Sequence, residues 1–512
     1  MTNKYHTAYL VGAGPGDYKL ITLKAVECLK KADVVIYDRL ANKKLLDFAK
    51  EGSEFIYVGK ASSCHALPQD QINKLIVKKA KEGKTVVRLK GGDPYLFGRG
   101  GEEAEELRQE GIPFEIVPGI TSAISVPAYA GIPVTHRDFV SSVHIITGHE
   151  RPEKNVSSVD YQVLAQLKGT LIFLMGLSNL SSICNNLIKF GKDPDTPVAV
   201  ISKGTTPDQK KAVGTLATIE EIVQNIKLLP PSIIIVGEVV GLHDRLDWFQ
   251  KKPLSGKKIL VTRTRKQTSV LAEKIEDLGG EVFSFPTIKI LEPEDFSLID
   301  EKFAQIQSYD WIVFTSINGV ETFFKHLKEM KKDMRSLCGV KISAIGAGTG
   351  AALAERGIIA DYIPHEYQAE ALAQGLKERI KKDEKVLLPT ADIARTLLPE
   401  ELTAHGALVD KIDMYRTVPG EGNRDLLLEW LNQKEIDIIT FASSSTVRNF
   451  IQILGQENLA LLQDVKIACI GPVTRKTAEE SGLEVQISAE EFSIDGLVQA
   501  LLKEESGEIN VK

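Results

Sequence analysis

At 512 residues the chain is too long for one hydrophobic core and implies roughly two to four domains. Its 43% hydrophobic and 26% charged content is ordinary for a globular protein, and a net charge of −6 excludes a generally nucleic-acid-binding character. Five scattered cysteines with no CxxC pair and nine histidines with no HExxH argue against a disulfide framework or a metal site; no apolar run reaches membrane-spanning length, and a reducing cytoplasm fits best. The start, MTNKYHTAYLVGAGPG, lacks a basic segment followed by an apolar run, so no signal peptide is expected.

The first predicted strand runs into VGAGPGD (Val11 to Asp17), and a helix is expected over 22–32. This is the setting of a dinucleotide loop, and Asp38, closing the next strand, stands where a ribose-binding acid would stand. The register, however, is GxGPGD and not GxGxxG, and Pro15 has no N–H to offer a pyrophosphate. Further strands alternate with helix-like stretches (ADVVIYD, TVVRLKG, FEIVPG, SVHIITG, TLIFLMG, VAVISKG, SIIIVGEVV), an α/β pattern. The densest signal is VVRLKGGDPYLFGRGGEE (Val86 to Glu103). There a strand meets Gly91-Gly92-Asp93-Pro94 and then a second glycine cluster carrying Arg99, more special residues than a structural turn needs. This second loop has no place in the dinucleotide scheme and makes a nicotinamide nucleotide the weaker reading.

Around 243–257 the texture turns polar, with Pro253 and Gly256, and the expected division is a first domain over 1–246, a linker over 247–256 and a second domain over 257–512. The second half repeats itself. KILVTRT (258–264) matches KVLLPTA (385–391), LGGEV (278–282) matches HGALV (405–409), and the stretches 310–327 and 340–357 match 437–454 and 465–482, all at an offset of about 127. The duplication predicts two similar lobes with a cleft between them. Small hydroxyl residues recur at equivalent strand ends: Thr315 and Ser316; Ser443, Ser444 and Ser445; and Thr474. Each suits a helix cap, and their free N–H groups also suit an anionic ligand.

The motifs VGAGPGD, YDRL, VGK, PQDQIN, VVRLKGGDP, FGRGGEE, VPGITSA, AGIPVTHRD, MGLSNL and VGEVV lie in order over about 7–247, and this half resembles the uroporphyrinogen-III C-methyltransferases of the tetrapyrrole methylase family. The resemblance implies a two-subdomain fold, S-adenosylmethionine as methyl donor, no metal, and two successive methylations of a polycarboxylate macrocycle. It implies a cofactor site at Pro15, Gly91, Gly92, Asp93, Leu96, Thr121, Ser122, Met175 and Gly204. Asp38 is implied as base and Lys60 as proton donor. Basic residues in or beside the motifs, Arg39, Arg99 and Arg137, with Arg88, Lys90 and His136, are candidates to meet the substrate carboxylates. The family commonly has Arg-Ala-Gly after the VGK lysine where this chain has Ala61-Ser62-Ser63.

VTRTR, FTSINGV, PTADIAR, MYRTV, FASSSTV, CIGPVT and IDGLV make the half over about 257–503 resemble uroporphyrinogen-III synthase. That implies two lobes joined by paired extended segments near 287–293 and 413–420, closure of hydroxymethylbilane with loss of water, and Tyr415 assisting departure of the hydroxyl. Arg263, Arg265, Arg395, Arg416 and Arg448 are further candidates for the carboxylates. Together the resemblances imply a bifunctional α/β enzyme making precorrin-2, toward sirohaem or cobalamin. They imply a homodimer through the methyltransferase domain, small-molecule partners only, and a separate oxidase or chelatase downstream. The alternatives are a methyltransferase whose second half is a non-catalytic binding module, and a tetrapyrrole carrier without turnover.

Overall fold

The computed structural model describes residues 7–59, 67–148, 159–262, 265–366, 368–420 and 423–506. The chain divides into two compact units, Met1–Gly256 and Lys257–Lys512.

In the first unit, β1 (Ala8–Gly12), β2 (Val34–Tyr37), β3 (Glu54–Tyr57), β4 (Val86–Lys90) and β5 (Phe114–Val117) form a parallel sheet in the order β3-β2-β4-β1-β5. With β1 between β4 and β5, the loops that follow these three strands leave the same edge side by side. Alternation splits the buried β4 residues between two cores: Val86 packs with Ile36 and Ala104 on one face, Val87 and Leu89 with Val35 and Leu29 on the other. Arg88 and Lys90 follow Val86 onto the first face.

A second sheet holds β6 (Val143–Thr147), β7 (Thr170–Leu174), β8 (Pro197–Ser202), β9 (Lys210–Thr215) and β10 (Ser232–Val236) in the order β6-β7-β10-β8-β9. The β6–β7 pair is parallel and the others antiparallel. The helix Ser122–Tyr129, capped by Thr121, leaves the first sheet and lays Ala123 and Val126 on Ile172, Leu174, Ile233 and Ile235 of the second. It lies between the two sheets in the chain and packs on the second.

The stretch 247–256, expected as a linker, is folded against that helix. Tyr129 meets Trp248 and Phe249 at ring-centroid distances of 4.9 and 4.8 Å, and Trp248 Nε1 donates to the Ala128 carbonyl at 2.9 Å. Lys211 pairs with Asp247 at 2.8 Å. Two aromatic side chains supply enough apolar surface to dock an otherwise polar segment.

The second unit also holds two sheets. One, in the order β12-β11-β18-β19-β20, is parallel and is built from β11 (Lys258–Val261), β12 (Glu281–Ser284), β18 (Ile438–Phe441), β19 (Lys466–Cys469) and β20 (Ile487–Ser488). The other, β13-β17-β16-β14-β15, is built from β13 (Ile288–Leu291), β14 (Trp311–Phe314), β15 (Lys341–Ala344), β16 (Lys385–Ala391) and β17 (Leu408–Pro419). The sequence repeats are therefore not the lobes. Strands β11 and β12 of the first repeat join β18 and β19 of the second, while β14 and β15 of the first join β16 and β17 of the second. Each lobe is half of each repeat. The crossing is a two-stranded antiparallel ribbon, with Ile288 opposite Pro419 and Leu291 opposite Arg416. It leaves the C-terminal edges of both sheets, since β12 runs into β13 and β17 continues past its pairing with β16.

Among the described residues no helix is long and apolar enough to cross a membrane. Cys28, Cys184, Cys338 and Cys469 are free thiols.

Candidate functional site

In the first unit the loops after β1, β4 and β5 lock together, the first two through backbone and the third through the Asp93 side chain. Ala13 N donates to the Lys90 carbonyl at 2.7 Å, and Gly92 N to the Gly14 carbonyl at 2.7 Å. Asp93 serves the loops themselves: Oδ2 accepts from Gly119 N at 3.0 Å, and Oδ1 from Tyr95 N and Leu96 N at 2.8 and 3.1 Å. Its carboxylate thus orders the cradle. At Gly12 a Cβ would lie 2.7 Å from the Gly92 carbonyl oxygen, so the loops interlock only with glycine there. Gly92 differs. It sits at φ +69°, and the nearest atom to an added Cβ is Thr121 Cα at 4.0 Å, so the space beside it is open.

The second sheet supplies the opposite side. The turn after β8 holds Gly204 against the Val126 side chain. Thr205 Oγ1 accepts from Asp17 N at 3.2 Å, the Tyr129 hydroxyl donates to Asp17 Oδ2 at 2.9 Å, and Gln209 braces both Thr205 N and the Tyr129 carbonyl. Pro15, Gly91, Gly92, Asp93, Leu96, Thr121, Ser122 and Gly204 are thereby collected at one edge. Met175, after β7, is in the left-handed region at φ +58° and 50% exposed, so it is not a core residue.

Asp38 is not paired with its neighbour Arg39, which is exposed. Asp38 Oδ2 accepts from Arg88 Nη2 at 2.9 Å and Oδ1 from Leu40 N at 3.0 Å. Arg88 and Lys90, candidates for a substrate-facing basic patch, are buried instead. Lys90 Nζ lies 2.6 Å and Arg88 Nε 3.3 Å from Oε1 of the buried Glu103. Burial, with Arg88 beside it, pushes the Lys90 pKa below the usual lysine range. Arg99 is exposed and forms a two-pronged pair with Glu102 at 2.9 and 2.7 Å. Arg137 is exposed on the turn after His136. Lys60 and Ala61-Ser62-Ser63 lie outside the described residues.

In the second unit the hydroxyl clusters sit where β14 and β18 end, on the ribbon side of their sheets. Ser316 caps the helix Ile317–Glu329 through Gly319 N at 2.9 Å, and its Oγ lies 2.9 Å from the Tyr415 hydroxyl. Thr315 precedes it, half-buried. Tyr415 is 5% exposed, and burial raises its phenol pKa. Ser443 caps the helix Ser444–Leu454 in a capping box with Thr446, its Oγ 2.9 Å from Ser445 Oγ. Ser444 Oγ accepts from Thr477 Oγ1 at 2.8 Å, tying this helix to the helix Pro472–Glu480. Thr474 is buried in that helix, so its side chain packs and does not meet solvent. Arg416 pairs with Glu294 at the ribbon, and Arg395 and Arg448 are exposed. Arg263 and the side chain of Arg265 lie outside what is described.

Sequence reasoning missed Glu103 as the partner of Arg88 and Lys90, and missed the clamp of Asp17, Tyr129 and Gln209. The first had a visible signal. Two cations alternating within a buried strand require a buried acid nearby.

Residues 7–220 match the family model "Tetrapyrrole (Corrin/Porphyrin) Methylases", and residues 269–499 the model "Uroporphyrinogen-III synthase HemD". The chain is 41% identical over 500 residues to the porphyrin biosynthesis protein HemD of Ruminiclostridium josui, covering 98% of both chains. It is 42% identical to the uroporphyrinogen-III C-methyltransferase of Bacillus subtilis, over 75% of this chain and 78% of that one. It is 55% identical to the S-adenosyl-L-methionine-dependent uroporphyrinogen III methyltransferase of Methanosarcina barkeri, over 48% of this chain and 96% of that one. With both family models matched in turn and a full-length relative at this identity, the chain belongs to the family of two-part porphyrin biosynthesis proteins in which a tetrapyrrole methylase is followed by a uroporphyrinogen-III synthase.

Proposed function

We propose that this chain carries out two consecutive steps. The second unit closes hydroxymethylbilane to uroporphyrinogen III with loss of water, and the first methylates that product twice to precorrin-2. The single observation that carries this reading is the succession of two family models on one chain, because the product of one chemistry is the substrate of the other.

The first-unit cradle fits S-adenosylmethionine. Beside Gly92 the backbone stands open, and the exposed Met175 offers a polarisable apolar wall. Pro15, Gly91 to Asp93, Leu96, Thr121, Ser122, Met175 and Gly204 would hold the cofactor, which when bound supplies an electrophilic methyl group on a sulfonium. Asp38 takes the proton that the macrocycle gives up as the methylated pyrrole is dearomatised, and Lys60 is the proton donor. Arg39, Arg99 and Arg137 meet substrate carboxylates. In the second unit, Thr315, Ser316, Ser443, Ser444, Ser445 and Thr474 present hydroxyl or backbone N–H groups to the bilane, and the protonated Tyr415 helps the hydroxyl leave. Positioning carries most of the work, since loss of hydroxide from a pyrrolic hydroxymethyl group is easy and the isomer formed depends on how the chain is folded. The protein acts as a homodimer through its first unit, in the cytoplasm, and hands precorrin-2 to a separate oxidase or chelatase.

The test is incubation of the protein with hydroxymethylbilane and S-adenosylmethionine, followed by mass and isomer analysis. A type III product carrying two added methyl groups is expected. Only unmethylated type I product would overturn both activities, and type III product without methylation would overturn the first unit's role.

A further inference from the structure

Beneath the Gly91-Gly92 loop lies a buried group of charges. The side chains of Arg88 and Lys90 are 4% exposed and that of Glu103 is 0% exposed. One oxygen of Glu103, Oε1, receives Lys90 Nζ at 2.6 Å, Gln69 Nε2 at 3.0 Å and Arg88 Nε at 3.3 Å; the other, Oε2, is buried and takes no hydrogen bond from the described residues. Arg88 spends Nη1 on the Leu89 and Ile36 carbonyls, at 2.9 and 3.4 Å, leaving Nη2 for Asp38. Of the four charged groups only Asp38 reaches solvent to a substantial degree, with 26% of its side chain exposed.

Burying three charges costs more than an apolar plug of the same volume would, so stability alone does not account for the arrangement. Its geometry has a direction. Glu103 sits on the helix Gly100–Gln109, which begins directly after the loop carrying Arg99. It grips the Nε edge of the guanidinium, two backbone carbonyls fix the Nη1 corner, and the remaining corner is aimed at one carboxylate oxygen of Asp38. The Leu40 N–H fixes the other oxygen. A planar guanidinium held at three places cannot rotate without breaking several bonds, and a lysine in its place could not be held this way.

We propose that Glu103 is a positioning residue for methyl transfer: through Arg88 it sets the orientation of the Asp38 carboxylate toward the macrocycle position that gives up its proton as the ring is dearomatised, with Lys90 and Gln69 holding Glu103 in turn. The proposal rests on the reading of Asp38 as the base. It gives the motif spacing a physical meaning, because PQDQIN supplies Gln69, VVRLK supplies Arg88 and Lys90, and FGRGGEE supplies Glu103 to one cluster.

The test uses the full chain with uroporphyrinogen III and S-adenosylmethionine. Glu103→Gln keeps size and removes the charge. It should lower kcat for methylation about ten- to a hundredfold, the effect of a misaligned catalytic group, with KM for either substrate changed less than about threefold. In an Asp38→Asn background the same substitution should have no further effect on kcat, because the group it aligns is already lost. A purely structural role would lower kcat equally in both backgrounds and would overturn the proposal. Unchanged kcat in Glu103→Gln, with Asp38→Asn impaired, would overturn it while leaving Asp38 as base. Wild-type kcat in Asp38→Asn would instead remove the base reading itself. If Glu103→Gln does not fold, Gln69→Met, at a half-buried position on the rim of the cluster, should lower kcat about threefold in the wild-type background and leave it unchanged beside Asp38→Asn. Equal loss in both backgrounds, or none in either, would overturn the proposal.

Discussion

Ser316 Oγ and the Tyr415 hydroxyl stand 2.9 Å apart although 99 residues separate them in the chain. The first caps the helix after β14; the second lies on β17 where that strand leaves β16 for the ribbon. A helix N-terminus and a buried phenol thus meet at the sheet edge where the lobes join. Burial raises the phenol pKa further above neutrality, so Tyr415 carries its proton at neutral pH. Tyr415→Phe should slow closure to the type III isomer by about tenfold, near 1.4 kcal/mol of barrier, while methylation of supplied uroporphyrinogen III stays unchanged. Ser316→Ala should remove a cap worth about 1 kcal/mol to the second unit and slow closure less. Isomer analysis with time reads both, and an unchanged closure rate in Tyr415→Phe would remove the tyrosine from the reaction.

Two glycines of the first unit should respond differently to the same substitution. Gly92→Ala places a methyl group in open space at φ +69°. It should cost roughly 1–2 kcal/mol of backbone strain, leave the fold intact, and weaken S-adenosylmethionine binding at least tenfold by filling the cradle. Gly12→Ala drives a Cβ to 2.7 Å from the Gly92 carbonyl oxygen, so the loops cannot close and the first unit should fail to fold. Calorimetric binding and thermal unfolding separate the two outcomes.

The alternation of strands and helices, the glycine loops and the internal repeat were all legible in the chain, because local pattern carries them. What the repeat means in space is not carried by the repeat itself. KILVTRT and KVLLPTA read as equivalent strands, and they are, as β11 and β16. Their partnering with β18 and β14, each from the other repeat, depends on a crossing made by the ribbon 288–291 with 416–419, and only the family resemblance, which places paired extended segments near 287–293 and 413–420, points to it. The basic patch was misread for a related reason. Arg88 and Lys90 look like exposed cations by residue type, yet strand alternation sends both inward, where Glu103 from a separate helix neutralises them.

The docked segment after residue 246 was likewise hidden by its polar composition. Trp248 is half-exposed, yet its ring lies edge-on to Tyr129 and its indole N–H holds the Ala128 carbonyl, on the helix that begins beside Thr121. Trp248→Ala should destabilise the first unit by about 1–2 kcal/mol, less than a fully buried aromatic would. Cofactor affinity should fall with it, since the helix carries Ser122 and presses on Gly204 through Val126. Urea unfolding followed by a first-unit probe should show a lower midpoint, with the second unit's transition unmoved.

Cys469, fully buried at the end of β19, makes the second unit sensitive to alkali. Burial pushes its thiol from 9.0 up to about 12. The native state therefore keeps its proton where the unfolded chain gives it up. Below pH 9 both states are protonated and the contribution is fully present. Between 9 and 12 ionisation stabilises only the unfolded state, and stability falls toward a limiting slope of ~1.4 kcal/mol per pH unit for this one group. Cys184 in the first unit, pushed up to about 11, has the same sign over a narrower window. Cys469→Ala should be less stable than wild type at pH 8 through lost packing, and the gap should narrow steadily from pH 9 upward as the wild-type thiol becomes a liability. Paired denaturation curves at half-unit steps measure it, and a gap independent of pH would show that Cys469 titrates alike in both states.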